Sequence, residues 1–221
     1  MSSFVLKMIA IISMLIDHSA YILFHGFSFS NYIGRISFPI FAFQISEGYK
    51  HTRDVKKYFL RLLVFALISQ IPYMLFEFSV GKGFSFNVLF TLSLGLLSII
   101  LYDKQKNKFL GFILVCLIAI FASLFQISYG AFGIIIIFIF HLFKDKKGWM
   151  TLCYLVACFF KYLPTLIQYQ FYYKFIILCI CTMLPIILIL FYNKEKGKDA
   201  KYLLYLFYPL HLLILFTINI L

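Results

Sequence analysis

Two residues that carry acid–base chemistry stand side by side inside an apolar run: Asp17 and His18, in FVLKMIAIISMLIDHSAYILF. An aspartate at the centre of a bilayer costs roughly 2.5–3.5 kcal/mol on insertion scales, so such a residue reads as functional by default. Neighbours on a helix point about 100° apart and cannot form a dyad facing one way. The expected division gives His18 to a water-filled cavity and Asp17 to an ion pair with Arg35, the cation of IGRIS. Imidazole titrates near neutral pH, so His18 is the natural base for deprotonating an amine or hydroxyl. Arg35 or Asn87 would then face the oxyanion that develops on an attacked carbonyl. The plainer reading is that Asp17 and Arg35 lock two helices together and His18 packs at their interface.

Two further groups add to this set. Tyr208 and His211 lie in LFYPLHLL, where Pro209 frees a backbone carbonyl one turn earlier. They read as cavity-lining groups, an acid or an orienting donor, with a helix-packing hydrogen bond as the alternative. SEGYKHTRDVKKYFLR, residues 46–61, sets Glu47 and His51 at i, i+4, followed by Thr52, Arg53 and Arg61. Guanidinium groups suit bidentate phosphate recognition, so this segment is a candidate holder of a cytosolic cofactor's phosphates. Lys56 and Lys57 read instead as contacts to anionic headgroups. His141 reads as interfacial and His25 as an outer-loop residue. Pro39, a turn below Arg35, is expected to kink its helix and open space.

Composition dictates the elements that must position these groups. The 221 residues are 63% hydrophobic and only 13% charged, against about 25% charged in soluble domains. The expected architecture is all-α, a polytopic transmembrane helix bundle forming a single domain over 1–221. Spans fall at about 4–24, 33–49, 58–79, 87–102, 109–126, 130–143, 149–164, 173–192 and 202–220. The short sixth segment leaves eight spans plus a re-entrant stretch as the alternative. The first segment is expected to remain as a span, because its apolar core is long and no small-residue cleavage site follows.

The connections alternate in charge. KHTRDVKK, DKQKNK, KDKK and NKEKGKDAK are basic, whereas HGFSFSNY, GKGFSF, ISYG and TLIQYQFYY are nearly neutral. One side collects sixteen Lys and Arg and the other four, namely Arg35, Lys82, Lys161 and Lys174. Positive loops face the cytoplasm, which predicts about nine spans, a cytoplasmic N-terminus and residence in the cell membrane. The net charge of +12 therefore belongs to topology, not to nucleic acid. The five cysteines all fall inside spans and read as buried apolar thiols without disulfides. No metal site is expected, and no GxGxxG, Walker, HExxH or GxSxG pattern occurs.

Five stretches in order, LKMIAIISMLIDH, IGRISFPIFAFQISEGYKHTRDVKKYFLRLLVFALISQIPY, NVLFTLSLGLL, YGAFGI and LLYLFYPLHLLIL, resemble the TraX family. Its founding member acetylates the N-terminus of a conjugative pilin. The family pattern often carries an acidic residue before YG, where Ser128 stands here. The resemblance implies a bacterial multi-pass acetyltransferase with acetyl-CoA as co-substrate. Its acceptor would be a peptide, lipid or glycan group at the outer face, amine more than hydroxyl, with membrane lipids around the bundle. Direct transfer and an acyl-histidine intermediate both fit. The competing readings are a proton-coupled small-molecule transporter and a structural partner of a secretion or conjugation complex. No internal half-length repeat points to the transporter.

Overall fold

The structure is a computed structural model that describes residues 1–24, 26, 28–198 and 201–221, the side chains of 201–204 excepted. His25 lies outside the described residues. The chain is all-α: α1 Ser3–Leu23, α2 Ser30–Gly34, α3 Ser37–His51, α4 Val55–Ser79, α5 Val88–Lys104, α6 Lys108–Leu124, α7 Gly130–Leu142, α8 Lys147–Gln168, α9 Tyr173–Met183, α10 Pro185–Leu190 and α11 Lys201–Ile220. Several starts are written locally. Asp54 accepts the Lys57 N–H at 3.0 Å, Asn87 that of Leu89 at 2.9 Å, and Asn107 that of Phe109 at 2.9 Å. Each is a short polar side chain satisfying an orphan donor just before an apolar run.

Among the described residues, four segments are long and apolar enough to cross a membrane: Ser3–Leu23, Val55–Ser79, Lys147–Gln168 and Tyr173–Leu190. Their outward faces expose large apolar side chains, such as Leu60, Val64, Leu67, Ile68 and Ile71 on α4. An apolar face of this extent is a liability in water and ordinary in lipid. The chain has the architecture of a helical membrane protein.

The structure corrects several expectations. The predicted 33–49 span is two helices, with Arg35 and Ile36 in the turn between them. Pro39 sits in the first turn of α3, where its missing N–H removes no helix bond. The break therefore lies before Pro39. The predicted 165–173 loop is helical to Gln168, and α8 tolerates Pro164 inside it, as membrane helices can. The predicted 173–192 span breaks at Leu184, and Pro185 opens α10. Cys158 and Cys179 are buried as expected, but Cys116 is exposed on α6.

The helices divide into two compact units. One comprises Met1–Phe41 and Phe143–Leu204; the other comprises Ala42–Leu142 and Tyr205–Leu221. In the first, α1 packs on α2, α2 on α9, and α9 and α10 on α8. Its basic 193–198 segment folds onto the start of α1, through Ser3 N–H to the Glu195 carbonyl at 2.8 Å and Phe4 N–H to Lys196 at 3.1 Å. Tyr162, Leu166 and Cys179 make its small core with Phe175, Leu178 and Met183.

In the second unit α5 packs against α4, α6 and α7. Helix α7 has 13 residues, about 20 Å at 1.5 Å per residue, against a hydrocarbon core of about 30 Å. Ile136, Ile137, Phe138, Ile139 and Phe140 are buried in succession, so this helix is surrounded. That explains a sequence with no polar face. Gly95 makes the closest approach possible, since a Cβ there would overlap Ile137.

Candidate functional site

The Asp17–Arg35 pair anticipated from sequence is formed. The Arg35 Nη2 donates to Asp17 Oδ1 and Oδ2 at 3.3 and 3.2 Å. The two side chains are 21% and 13% exposed, in that order. Asn31 is the brace that sequence reading missed. Fully buried, it donates from Nδ2 to Asp17 Oδ1 at 2.9 Å and to the Asp17 carbonyl at 3.1 Å. Its own carbonyl accepts the Arg35 Nε–H at 3.2 Å, and its Oδ1 accepts the Ser28 N–H at 2.6 Å. The Asn31-to-Arg35 spacing of one helical turn was the available signal.

Gly34 lets α2 come this close to α1. A Cβ at that position would overlap the Asp17 side chain. His18, the next residue on α1, is half-buried. The carboxylate, the guanidinium and the imidazole thus belong to one compact unit. Chemically the set offers a base, a fixed cation and an amide that holds the pair's geometry.

Asn87, Tyr208 and His211 belong to the other unit. Asn87 is fully buried and caps α5. Its Nδ2 donates to the Ala66 carbonyl at 2.8 Å and to Gln70 Oε1 at 2.9 Å. Both ends of its amide are thereby committed to joining α4 and α5. Tyr208 is buried, hydrogen-bonded to the Val88 backbone, with Tyr73, Glu77 and Tyr129 in electrostatic range. The Tyr73 hydroxyl in turn meets Ser85 at 2.9 Å and Ser128 at 3.3 Å. Ser128, standing where the family pattern is acidic, therefore works as a hydrogen-bonding neighbour of a phenol, and its carbonyl accepts the Thr91 hydroxyl. His211 stacks on Phe207 and its Nδ1 lies 2.8 Å from the Phe207 carbonyl. A carbonyl only accepts, so Nδ1 carries the hydrogen.

The segment at 46–61 holds local pairs. His51 Nε2 is 2.9 Å from Glu47 Oε1. Arg61 donates to the Tyr205 hydroxyl at 3.3 Å, and its guanidinium lies 5.8 and 5.6 Å from the Tyr58 and Tyr205 ring centroids. Arg53 is exposed and Thr52 half-buried in the break between α3 and α4. Asp54, in the same break, is held below the usual carboxylate range by the backbone N–H of Lys57.

A cluster that sequence reading did not assemble lies nearby in this unit. Asp103 accepts the Tyr49 hydroxyl on Oδ2 at 3.0 Å, and its Oδ1 is 3.1 Å from His141 Nε2. The His141 side chain is packed inside this unit, 6% exposed. The tyrosine and histidine rings pack edge to face. These residues come from α3, α5 and α7, too far apart in sequence for spacing to reveal them.

No solved structure matches the chain. A probable fimbrial assembly protein, FimC of serogroup H1, from Dichelobacter nodosus is 30% identical over 97% of this chain and 94% of its own length. An uncharacterised protein of Rickettsia prowazekii (strain Madrid E) is 29% identical over 70% of this chain and 60% of its own. The family model described as TraX protein matches residues 2–219, which include every candidate residue above. The chain belongs to the TraX family.

Proposed function

We propose that this chain is a multi-pass acetyltransferase of the cell membrane. It transfers an acetyl group from cytosolic acetyl-CoA to an amine or hydroxyl presented at the outer face. The observation that carries the reading is the braced Asp17–Arg35 pair beside His18, with Asp17 and His18 inside a helix long and apolar enough to cross a membrane. Charges are kept in such helices where they perform a task. The description of the Dichelobacter relative as a fimbrial assembly protein supports a peptide N-terminus as acceptor. Sixteen cations against four in the alternating loops support a cytoplasmic N-terminus and about nine crossings of a single 1–221 domain.

In the proposed step the acceptor nitrogen attacks the thioester carbonyl. A C–N bond forms, the C–S bond breaks, and the thiolate of coenzyme A leaves. His18 takes the proton released by the amine, and the Arg35 guanidinium faces the oxyanion. Asn31 and Asp17 hold Arg35 in place. Glu47, His51, Thr52, Arg53 and Arg61 stand as the coenzyme-binding group, with Arg53 the freest to meet phosphate because Arg61 already lies against two phenol rings. Tyr208 and His211 serve as acceptor-orienting groups, and Asn87 preserves the α4–α5 frame.

The test is coenzyme A release and label transfer from acetyl-CoA by the purified protein, supplied with membrane extract as acceptor. His18→Ala, at equal folded amount, is expected to lose roughly 10²–10⁴-fold, the usual range for a general base. Activity within twofold of wild type sinks the assignment.

A further inference from the structure

Helix α6 is shorter than the layer its surface suits. It buries one narrow stripe, Gly111, Val115, Ala119 and Ala122. Around the rest of it Phe109, Phe112, Leu117, Ile120, Leu124 and Phe125 are exposed. A face of this kind belongs against acyl chains. From Phe109 to Phe125 it runs about 24 Å at 1.5 Å per residue, against a hydrocarbon core of about 30 Å. Tilt only shortens its reach across the layer. The helices packed against it offer no extension, since α5 has 17 residues and α7 has 13.

Both ends of α6 are fixed by backbone geometry. At the first, Asn107 accepts the N–H groups of Phe109 and Leu110 at 2.9 and 3.4 Å. Gly111 there lies so near Tyr102 of α5 that a Cβ would crowd its ring. At the second, Gln126 turns into the left-handed region at a φ of 52°. The Ile127 N–H reaches back to the Ala122 carbonyl at 3.0 Å, which is how a Schellman end closes a helix. The chain beyond is then tied to Phe86, whose N–H donates to the Gln126 carbonyl at 3.2 Å and whose carbonyl accepts the Ser128 N–H at 3.0 Å.

A helix too short for its bilayer thins it, snorkels its flanking residues or self-associates. Lysine stems can reach headgroups from a submerged end, and Lys106 and Lys108 are exposed at the first end. The second end has no such stem, because no Lys, Arg, Asp or Glu occurs from 109 to 143. What is exposed there is the Gln126 amide on irregular backbone, which hydrocarbon does not accept. We propose that the exposed side of α6 is fitted to a locally thinned bilayer, with the headgroup layer drawn inward to Gln126. Its partner is the acyl-chain layer of the membrane, about 6 Å thinner here than elsewhere. The inference is independent of acetyl transfer, and its failure leaves that reading standing.

Trp149 is the one tryptophan of the chain, so single reporters test this directly. Trp149→Phe is the background for Phe109→Trp, Leu117→Trp and Phe125→Trp, all at exposed positions. The full chain is reconstituted in phosphatidylcholine vesicles brominated at set acyl carbons, and fluorescence quenching reads depth. The Leu117→Trp reporter, midway, is expected about 12 Å deeper than either end. The Phe125→Trp reporter is expected at headgroup level, quenched best by the bromines nearest the headgroup. Should it sit about 6 Å below that level, quenched best by mid-chain bromines, the proposal is overturned. It is overturned equally if no lipid-borne bromine reaches that reporter, since protein and not lipid then covers the end. A Leu117→Trp reporter as shallow as both ends also overturns it, because α6 would lie along the surface. Where a reporter variant does not fold, Leu124→Trp or Leu110→Trp, exposed on the same end turns, takes its place.

Discussion

The two compact units treat polarity in opposite ways. The unit built from α1, α2, α8, α9 and α10 places full charges together: Asp17 and Arg35, with His18 next to Asp17 on α1. In the α4–α7 unit, buried polarity around the start of α5 is mostly neutral and closed, with the buried Glu77 paired to Lys82 at 3.0 Å. Asn87, Gln70, Tyr73, Ser85 and Ser128 bond one another or backbone carbonyls. A closed neutral network rigidifies a bundle and offers nothing to a ligand. A charged cluster keeps a long-range field that a reacting group or an anion can feel. The comparison sets the braced ion pair beside His18 in the first unit against a structural polar network around the start of α5 in the second.

Removing one member of the ion pair is the hardest blow to this picture. Arg35→Met leaves the Asp17 carboxylate with Asn31 alone, and losing one partner of a buried pair costs about 3 kcal/mol or more. The Asp17→Asn, Arg35→Met double variant should recover part of that loss, with acetyl transfer still abolished. Denaturant titration beside an activity assay reads both quantities. Additive losses would mean that the charges do not act as a unit.

Asn87→Ala ranks next, at about 2 kcal/mol: a lost N-cap of about 1 kcal/mol and a carbonyl left without its donor. Asn87→Ser retains the cap acceptor and should recover about half. The contrast with Arg35 lies in activity. Molecules that still fold should transfer acetyl groups at the wild-type rate, measured per folded protein. A rate collapse at unchanged stability would move Asn87 into the reacting site and erase the distinction between units.

How these regions could be read from sequence follows the same divide. Asp17 and Arg35 were legible because a charge in an apolar run needs a partner and few partners exist. Loop charge and apolar length likewise gave the helical segments in order. Helix breaks were less legible: Pro39 was read as a kink but sits in a first turn, and α8 runs on past the predicted span end at 164 with Pro164 inside it. Asn31 and the Tyr49–Asp103–His141 cluster were hidden for another reason. Their partners are set by tertiary packing of separate helices, which periodicity along one helix does not encode.

The Tyr49–Asp103–His141 cluster tests whether the carboxylate shared by α3, α5 and α7 is structural. Tyr49→Phe removes one hydrogen bond to a carboxylate that is 37% exposed. The expected loss is about 1 kcal/mol, with acetyl transfer unchanged. A large fall in rate at that small cost in stability would give this cluster a chemical task and break the comparison.

Asp54 gives the smallest effect and the cleanest control, because it is a carboxylate outside the helices. Its folded pKa lies below the ordinary 3.8, chiefly through the Lys57 backbone N–H. A depressed carboxylate stabilises the fold above its unfolded pKa and loses that contribution as pH falls through the folded value. The unfolding midpoint of the wild type should therefore decline on the acid side of 3.8. Asp54→Asn keeps a cap acceptor without the titration and should decline less there. If Asp54→Asn declined as steeply as the wild type on the acid side of 3.8, the cap carboxylate would not be the group whose protonation weakens the fold there.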